Sequence, residues 1–296
     1  MRTDLIRASE LLRRQTPASV EEAIGLLQST VFSFSMKMCG HKEDAEDTMQ
    51  EVLAGSLKYL HQLKEPNELA AWLYTVTRNR CHRMRGRHSG SETKSVSIDE
   101  LMPDSEEMRL LMEAAKESPE HRVLQAEQND FLHRAVLRLP SPMRLVLVLH
   151  DMEELSSEEV ARILGVQVGT VRVRLHRARL ILRKEMMRVL RGLPAKDTAV
   201  DRDLAKRPKE CRALFADLSE YIDARMEPKS SEQMRAHIES CPACVAFLKD
   251  LRAAIDRCRR ISAVCDPGIA QRMRALMTQE YLRLMQTEAG AETRRE

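Results

Sequence analysis

The sequence predicts an all-α protein: several small helical units joined by polar linkers, followed by a Cys/His-bearing helical unit and a C-terminal amphipathic helix. Three observations carry this. Aromatic residues make up only 3% of the chain while apolar residues reach 43%, with 17 Met and 10 Gly. Sandwiches and barrels lean on aromatic and β-branched side chains, so that composition argues against them. Apolar positions recur at three- and four-residue intervals between punctuating Gly and Pro residues, which is the helical period. At 296 residues the chain has room for two or three small domains.

Composition also excludes classes of function. The net charge of +3 averages opposites, an acidic segment at residues 43–51 and a basic helix at 168–191. No apolar run approaches a membrane span, and MRTDLIRASELLRR lacks the apolar core of a signal peptide, so a cytoplasmic protein is expected. Seven unevenly placed cysteines do not suggest a disulfide framework.

Taken in order, residues 4–14 form a short amphipathic helix that Thr16-Pro17 breaks. A second helix over 19–39 turns Ala23, Leu26, Leu27, Thr30, Val31 and Phe34 inward and stops at Gly40. The next helix opens with Glu43, Asp44, Glu46 and Asp47, which complement the positive end of the helix dipole. Leu53, Leu57 and Leu60 are its inward face. After the loop Lys64-Glu65-Pro66-Asn67 comes ELAAWLYTVTRNRCHRMRGR, with Leu69, Trp72, Leu73 and Val76 inside and a basic run of Arg78, Arg80, Arg83, Arg85 and Arg87. Residues 88–118 lose periodicity and read as a mobile acidic linker. The pattern resumes with a helix over 120–138 carrying Val123, Leu124, Phe131, Ala135 and Leu137, then one capped by Ser141 with Pro142 in its first turn.

Leu155 to Arg191 reads as a helix-turn-helix. Ser156 followed by Glu159 is a capping box, Val160, Ile163 and Leu164 give an apolar face, and Gly165 suits a helix C-terminus. The second helix begins near Val168 and buries Val171, Leu175, Ala178 and Leu182. Arg172, His176, Arg179 and Arg183 form a neighbouring stripe, with Arg174 and Arg177 elsewhere on the polar surface. Such a helix can lie in a major groove, its N-terminal residues near base edges and its arginines on phosphates. The alternative is a solvated basic helix in a bundle.

Residues 193–207 are a second polar linker. Beyond it His237, Cys241 and Cys244 stand in a H-x3-C-x2-C arrangement. His237 and Cys241 share a helix face, and Cys244 falls in the first turn of the next helix, where Pro242 fits. With Cys211 at the start of the preceding helix, four ligands are available for a tetrahedral Zn2+ site, structural rather than catalytic because the set is closed. The alternative is small buried thiols. A last helix over 267–287 offers Met273, Leu276, Met277, Leu284 and Met285 as apolar anchors, for a partner or for the metal-bearing bundle.

The order of DAEDTMQEVL, AWLYTVTRN, a linker and LPSPMRLVLVLHDMEELSSEEVARILGVQVGTVRVRLHRARLILR resembles a bacterial RNA polymerase sigma factor of the extracytoplasmic-function class, over roughly residues 16–190. The LSEYIDARM helix and the C…H-x3-C-x2-C run resemble a zinc-binding anti-sigma domain. The resemblance implies a region 2 bundle over 1–90, a flexible linker over 91–118, a region 4 helix-turn-helix over 119–192, a linker over 193–207, a zinc-binding module over 208–260 and a C-terminal helix over 261–296. It implies that region 2 binds the clamp of the polymerase β′ subunit through Asp44, Glu46, Asp47, Gln50 and Glu51. It places Lys64, Asn67, Arg78, Asn79, Arg80 and Arg83 against the −10 element, which region 2 melts. Region 4, docked on the β flap, would read the −35 element through Thr170, Arg172, Arg174, His176, Arg177, Arg179 and Arg183. Gln167 departs from the small capping residue or Pro common before such a helix. Trp72 and Tyr74 stand near the promoter arginines, although Trp72 suits the core.

Together these readings describe a promoter-specific, non-enzymatic initiation factor regulated in cis by a tethered zinc module, through intramolecular contact whose sign is open. Metal exchange or thiol oxidation would change that contact. A stand-alone helix-turn-helix regulator is one alternative. A thiol oxidoreductase using Cys241 and Cys244 is another, although such motifs normally follow a strand.

Overall fold

The computed structural model describes residues 3–60, 62–63, 65–85, 101, 107, 109, 125–190, 209–261 and 263–292, and every regular element among them is helical. The helices are α1 (Thr3–Arg14), α2 (Pro17–Cys39), α3 (Lys42–Leu60), α4 (Pro66–Arg85), α5 (Gln125–Arg138), α6 (Ser141–Leu147), a π turn (Val148–Met152), α7 (Ser157–Leu164), α8 (Val168–Leu190), α9 (Lys209–Ile222), α10 (Pro228–Ser240), α11 (Pro242–Arg259) and α12 (Pro267–Glu292). None of the described helices is long and apolar enough to cross a membrane.

Local chemistry sets most boundaries. α2 starts two residues earlier than periodicity suggests, because Thr16 is its N-cap in a capping box with Ser19 and Pro17 takes the first helical position. Proline there gives up only an N–H that has no intrahelical partner. Gly40 closes α2 in the left-handed region at φ 84°, and Gly165 closes α7 at φ 66° after a Ser156–Glu159 capping box. Ser141 is not a cap. Pro140 holds that position, its carbonyl accepts from Met143 and Arg144 at 2.9 Å, and Ser141 is already helical. Arg144, 3% exposed, turns back to donate to the Leu139 carbonyl at 2.8 Å and so satisfies the end of α5.

The chain forms two compact units whose members are not consecutive. In the first, α2 is the central helix, with α1, α3, α4 and α12 against it and α7 on α4. Leu27, Phe34, Met49, Leu53 and Leu73 build its interior. On α4 the inward aromatic is Tyr74, 1% exposed, rather than Trp72, which is half-buried and packs on Tyr59 with ring centroids 5.9 Å apart. Tyr74 wins the interior because Phe34 flanks its ring at 5.2 Å and its hydroxyl finds a buried acceptor.

In the second unit α8 is central, with α5, α6, α9 and α11 around it. The stripe Val171, Leu175, Ala178 and Leu182 is buried as its spacing predicts. Leu180, fully buried, projects on another side into a cluster with Phe215, Leu218, Met234, Phe247 and Leu251. α8 is therefore apolar on two faces. On α5 the inward residues are Leu132, Ala135, Val136 and Leu139, while Phe131 and Leu137 are half-buried. Of residues 91–118, only Leu101, Glu107 and Arg109 are described. Leu101 is 3% exposed and packs within the α8–α11 cluster by apolar burial. The rest of the 91–118 stretch, and residues 193–207, lie outside the described residues.

Candidate metal centre and nucleic-acid interface

The metal candidates come together through the junction of α10 and α11. Pro242 opens α11 and forces the preceding residue out of the α region, so Cys241 is extended (φ −118°, ψ 97°) and ends α10. His237, one turn before that break, and Cys244, in the first turn after it, then face the same point as Cys211 in the first turn of α9. His237 Nε2 lies 3.4 Å from both the Cys211 and Cys244 sulfurs, and those sulfurs are 3.8 Å apart. All four ligand atoms, Cys241 included, fall within 4.8 Å of one another, on half-buried residues.

This arrangement fits a tetrahedral zinc ion. With Zn–S about 2.3 Å and Zn–N about 2.0 Å, tetrahedral angles place sulfurs about 3.8 Å apart and sulfur and nitrogen about 3.5 Å apart. Burial, and then the neighbouring Cys241 and Cys211, push the Cys244 thiol well above its usual range. Three thiols so close can be thiolates together only around a cation. Among the described residues no strand precedes Cys241, which removes the strand-to-helix setting of a dithiol redox motif.

Three of the four members of the basic stripe of α8 do not face solvent, and only Arg172 is exposed. His176, Arg179 and Arg183 are 5%, 1% and 1% exposed. The Arg179 guanidinium is bidentate to Asp151 of the π turn (2.6 and 2.8 Å) and to Asp223 at the end of α9 (2.7 and 3.1 Å). Burial disfavours its charge, but the two carboxylates outweigh burial and raise its pKa. Burial would likewise raise Asp151, yet Arg179 holds it well below the usual carboxylate range. Arg183 donates to Asp250 of α11 at 2.8 Å, lies 3.7 Å from Glu107, and stacks over Phe247 at 4.5 Å. Arg172, more exposed, is 3.7 Å from Glu220 of α9. His176 Nδ1 is 2.9 Å from the Ser219 hydroxyl and its ring meets Phe215 edge-on, and burial followed by the Arg179 and Arg177 charges lowers its pKa to about 4.

Thr170, Arg174 and Arg177 are half-buried, and Val173 is 51% exposed. The candidate −35 residues therefore divide. One stripe of α8 is held by α9 and α11, and another carries Thr170, Arg174 and Arg177. The partners that make this division, Asp151, Ser219, Glu220, Asp223 and Asp250, carry no periodic signal in the sequence, because an acid opposite an arginine is a long-range match.

In the other unit, the candidate polymerase residues Asp47, Gln50 and Glu51 are exposed on one face of α3, with Asp44 and Glu46 half-buried. Glu51 pairs with Arg80 at 2.6 Å and approaches Arg83 at 3.9 Å, joining the acidic and −10 candidates. Asn67 and Asn79 are exposed, and Lys64 lies outside the described residues. Arg78 donates to the Ile163 carbonyl at the end of α7. α12 packs on α2 and α3 through Met273, Met277 and Tyr281, of which Tyr281 is fully buried. Leu276, expected as an anchor, is 67% exposed because the 273–277–281 spacing sets the inward stripe.

Residues 24–90 match the family described as sigma-70 region 2, residues 132–182 match sigma-70 region 4, and residues 211–244 match a family described as "Putative zinc-finger". The chain is 26% identical over 168 residues to the ECF RNA polymerase sigma factor SigW of Bacillus subtilis, covering 56% of this chain and 87% of that one. It is 26% identical over 167 residues to the RNA polymerase sigma-H factor of Pseudomonas aeruginosa, covering 55% and 84%. A solved structure of the sigma factor RpoE in complex with the anti-sigma factor NepR from Bartonella quintana is similar over 55% of this chain and 92% of that one, at 24% identity and a TM-score of 0.39. The zinc-finger match and the Cys/His cluster together suggest zinc binding. The chain is assembled from sigma-70 region 2, sigma-70 region 4 and a zinc-finger-type C-terminal domain, and its homologues are extracytoplasmic-function sigma factors.

Proposed function

We propose that this protein directs RNA polymerase to specific promoters and that its C-terminal part holds it inactive in cis. The observation that supports the regulatory part is the pairing of Arg172, Arg179 and Arg183 on α8 with Glu220, Asp223 and Asp250 of the zinc module. Those carboxylates occupy guanidinium groups that phosphates would otherwise take, so module and promoter compete for one stripe. Thr170, Arg174 and Arg177 then read bases, and Arg172, His176, Arg179 and Arg183 join them on release. Asp44, Glu46, Asp47, Gln50 and Glu51 serve the β′ clamp, with the β flap as the seat of region 4. Asn67, Arg78, Asn79, Arg80 and Arg83, with Lys64, serve the −10 element. α12, seated on α2 and α3, is the second element by which the C-terminal part holds the chain inactive.

One Zn2+ held by Cys211, His237, Cys241 and Cys244 would lock α9 to the α10–α11 junction, and with it the positions of Glu220 and Asp223. The ion supplies cross-linking rather than catalysis, in keeping with a transcription factor rather than an enzyme. The test is transcription of genomic DNA by core polymerase, read by sequencing transcript ends, with the full chain and with residues 1–207. Specific start sites with both proteins, and stronger initiation from the shorter one, are the expected result. No specific starts from either protein would sink the sigma-factor reading, and equal initiation would sink the inhibitory one.

A further inference from the structure

The π turn between α6 and α7 brings together two side chains that a regular helix would hold apart. His150 and Asp151 are consecutive, and consecutive residues on an α-helix do not face each other. Here His150 Nδ1 lies 2.9 Å from Asp151 Oδ1. Asp151, kept ionised by Arg179 in spite of its burial, can only accept, so Nδ1 carries the ring proton. In the singly protonated ring the lone pair is then on Nε2. The His150 side chain is 10% exposed, and its Nε2 is buried with no hydrogen-bond partner. It looks across 4.0 Å at Asp223 Oδ2, just past the end of α9. Two acceptors thus face each other across a buried gap, which is unfavourable unless positive charge lies between them.

The surroundings limit what can fill that gap. Arg179 sets one positive charge against the two carboxylates, so the group as a whole keeps one negative charge. The weaker bond of Arg179 to Asp223 is to Oδ2, the oxygen nearest Nε2, at 3.1 Å against 2.7 Å to Oδ1. Oδ2 therefore has bonding capacity left for another cation. Arg259 of α11 donates to the Asp151 backbone carbonyl at 3.3 Å and pairs with Asp256 at 3.6 Å.

We propose that His150 Nε2 and Asp223 Oδ2 bind a divalent first-row metal ion, with Asp151 as the outer carboxylate that orients the imidazole. Metal-binding histidines commonly donate their other ring N–H to a carboxylate in this way. Metal–nitrogen and metal–oxygen bonds of about 2.0–2.2 Å each span up to about 4.2 Å. The 4.0 Å gap therefore admits one ion with its two ligands nearly opposed. Opposed nitrogen and oxygen ligands suit a tetragonal ion of the Ni2+ or Cu2+ kind rather than tetrahedral zinc. The Asp223 side chain is 13% exposed, which leaves an opening for the waters that complete the set. Two protein ligands beside a guanidinium bind weakly and reversibly, as a sensing site does and a structural one does not. The ion would staple the end of α9 to the π turn and add to the hold of Arg179 on Asp223. That consequence rests on the inhibitory reading above, whereas the site itself does not.

The test is calorimetric titration of Ni2+ into the full chain, first saturated with zinc and freed of the excess. Beside it stands His150→Gln, whose amide can still donate to Asp151. Wild type is expected to take up Ni2+ without releasing zinc and without the near-ultraviolet absorption of a thiolate-bound ion. His150→Gln should weaken that uptake by at least about tenfold, the low end of what losing even an outer partner costs. Ni2+ should also slow hydrogen exchange at the end of α9, in wild type only. No uptake beyond the zinc, or equal uptake by the two proteins, overturns the proposal. Protection of α9 by lowered pH in place of nickel does so too, since a proton would then fill the gap. Transcription by core polymerase with and without Ni2+ reads the consequence separately. A fall for the full chain and none for His150→Gln is expected, and nickel uptake with unchanged transcription would overturn the inhibitory reading while leaving the site standing.

Discussion

Arg179 and Asp223 are joined by two hydrogen bonds, 2.7 and 3.1 Å, while the same guanidinium is doubly bonded to Asp151 on its other side. Asp151 lies within the stretch that matches sigma-70 region 4, whereas Asp223 lies within the stretch that matches the zinc-finger family. Arg179 is thus pre-oriented by one carboxylate and captured by another. Asp223→Asn should weaken the hold of the module by on the order of 2 kcal/mol, a shift of roughly 30-fold in the closed-to-open ratio. Promoter-specific transcription by the full chain should rise accordingly, and unchanged output would show that the pair does not gate the protein.

His176 sets a pH window. Its pKa is lowered to about 4 in the fold against 6.5 for the free side chain, by burial and by Arg179 and Arg177. A depressed histidine is neutral in the fold, so below pH 6.5 the unfolded chain binds the extra proton. The α8–α9 packing keeps its full stability above that pH and loses up to about 3 kcal/mol as pH falls from 6.5 toward 4. Asp151, held low by Arg179 despite its burial, adds its own loss only below about pH 3.8. Melting curves across this range should be steeper in pH for wild type than for His176→Gln, and equal slopes would remove His176 as the cause.

Cys211 joins a distant helix to the α10–α11 junction, so its loss should act on the whole module. Cys211→Ser should lower bound zinc well below about one ion per chain, measured by elemental analysis of the purified protein. It should also raise hydrogen exchange in α9 by loosening the cross-link. Wild-type zinc content in this variant would exclude Cys211 as a ligand.

Tyr281 is the fully buried anchor of α12 on α2 and α3. Tyr281→Ala should cost about 3 kcal/mol locally, the usual price of emptying a large aromatic site. Amides of α12 should exchange faster, and co-elution with core polymerase should increase if α12 covers the docking surface. Faster exchange without that increase would confine α12 to a packing role.

Helices and their ends were legible in the sequence because their causes are local. The Ser156–Glu159 box, Gly165 and the 171–175–178–182 stripe each act within a few residues and needed no partner. The Cys/His set was legible for the same reason, since ligand type and short spacing are themselves the chemistry. Trp72 and Leu276 misled because periodicity gives a face only to within a residue or so, and the neighbour that fills the space decides between adjacent candidates.

By itself, then, the sequence determined an all-helical chain, the helix-turn-helix, the four metal candidates and the resemblance that places them. Tertiary structure decided what the arginines meet. Whether Arg179 and Arg183 face water or carboxylates depends on Asp151, Asp223 and Asp250, which are distant along the chain and unmarked by any pattern. The same holds for Lys37, Tyr74 and Glu153, where a buried charge is tolerable only because folding brings its counter-charge from more than a hundred residues away.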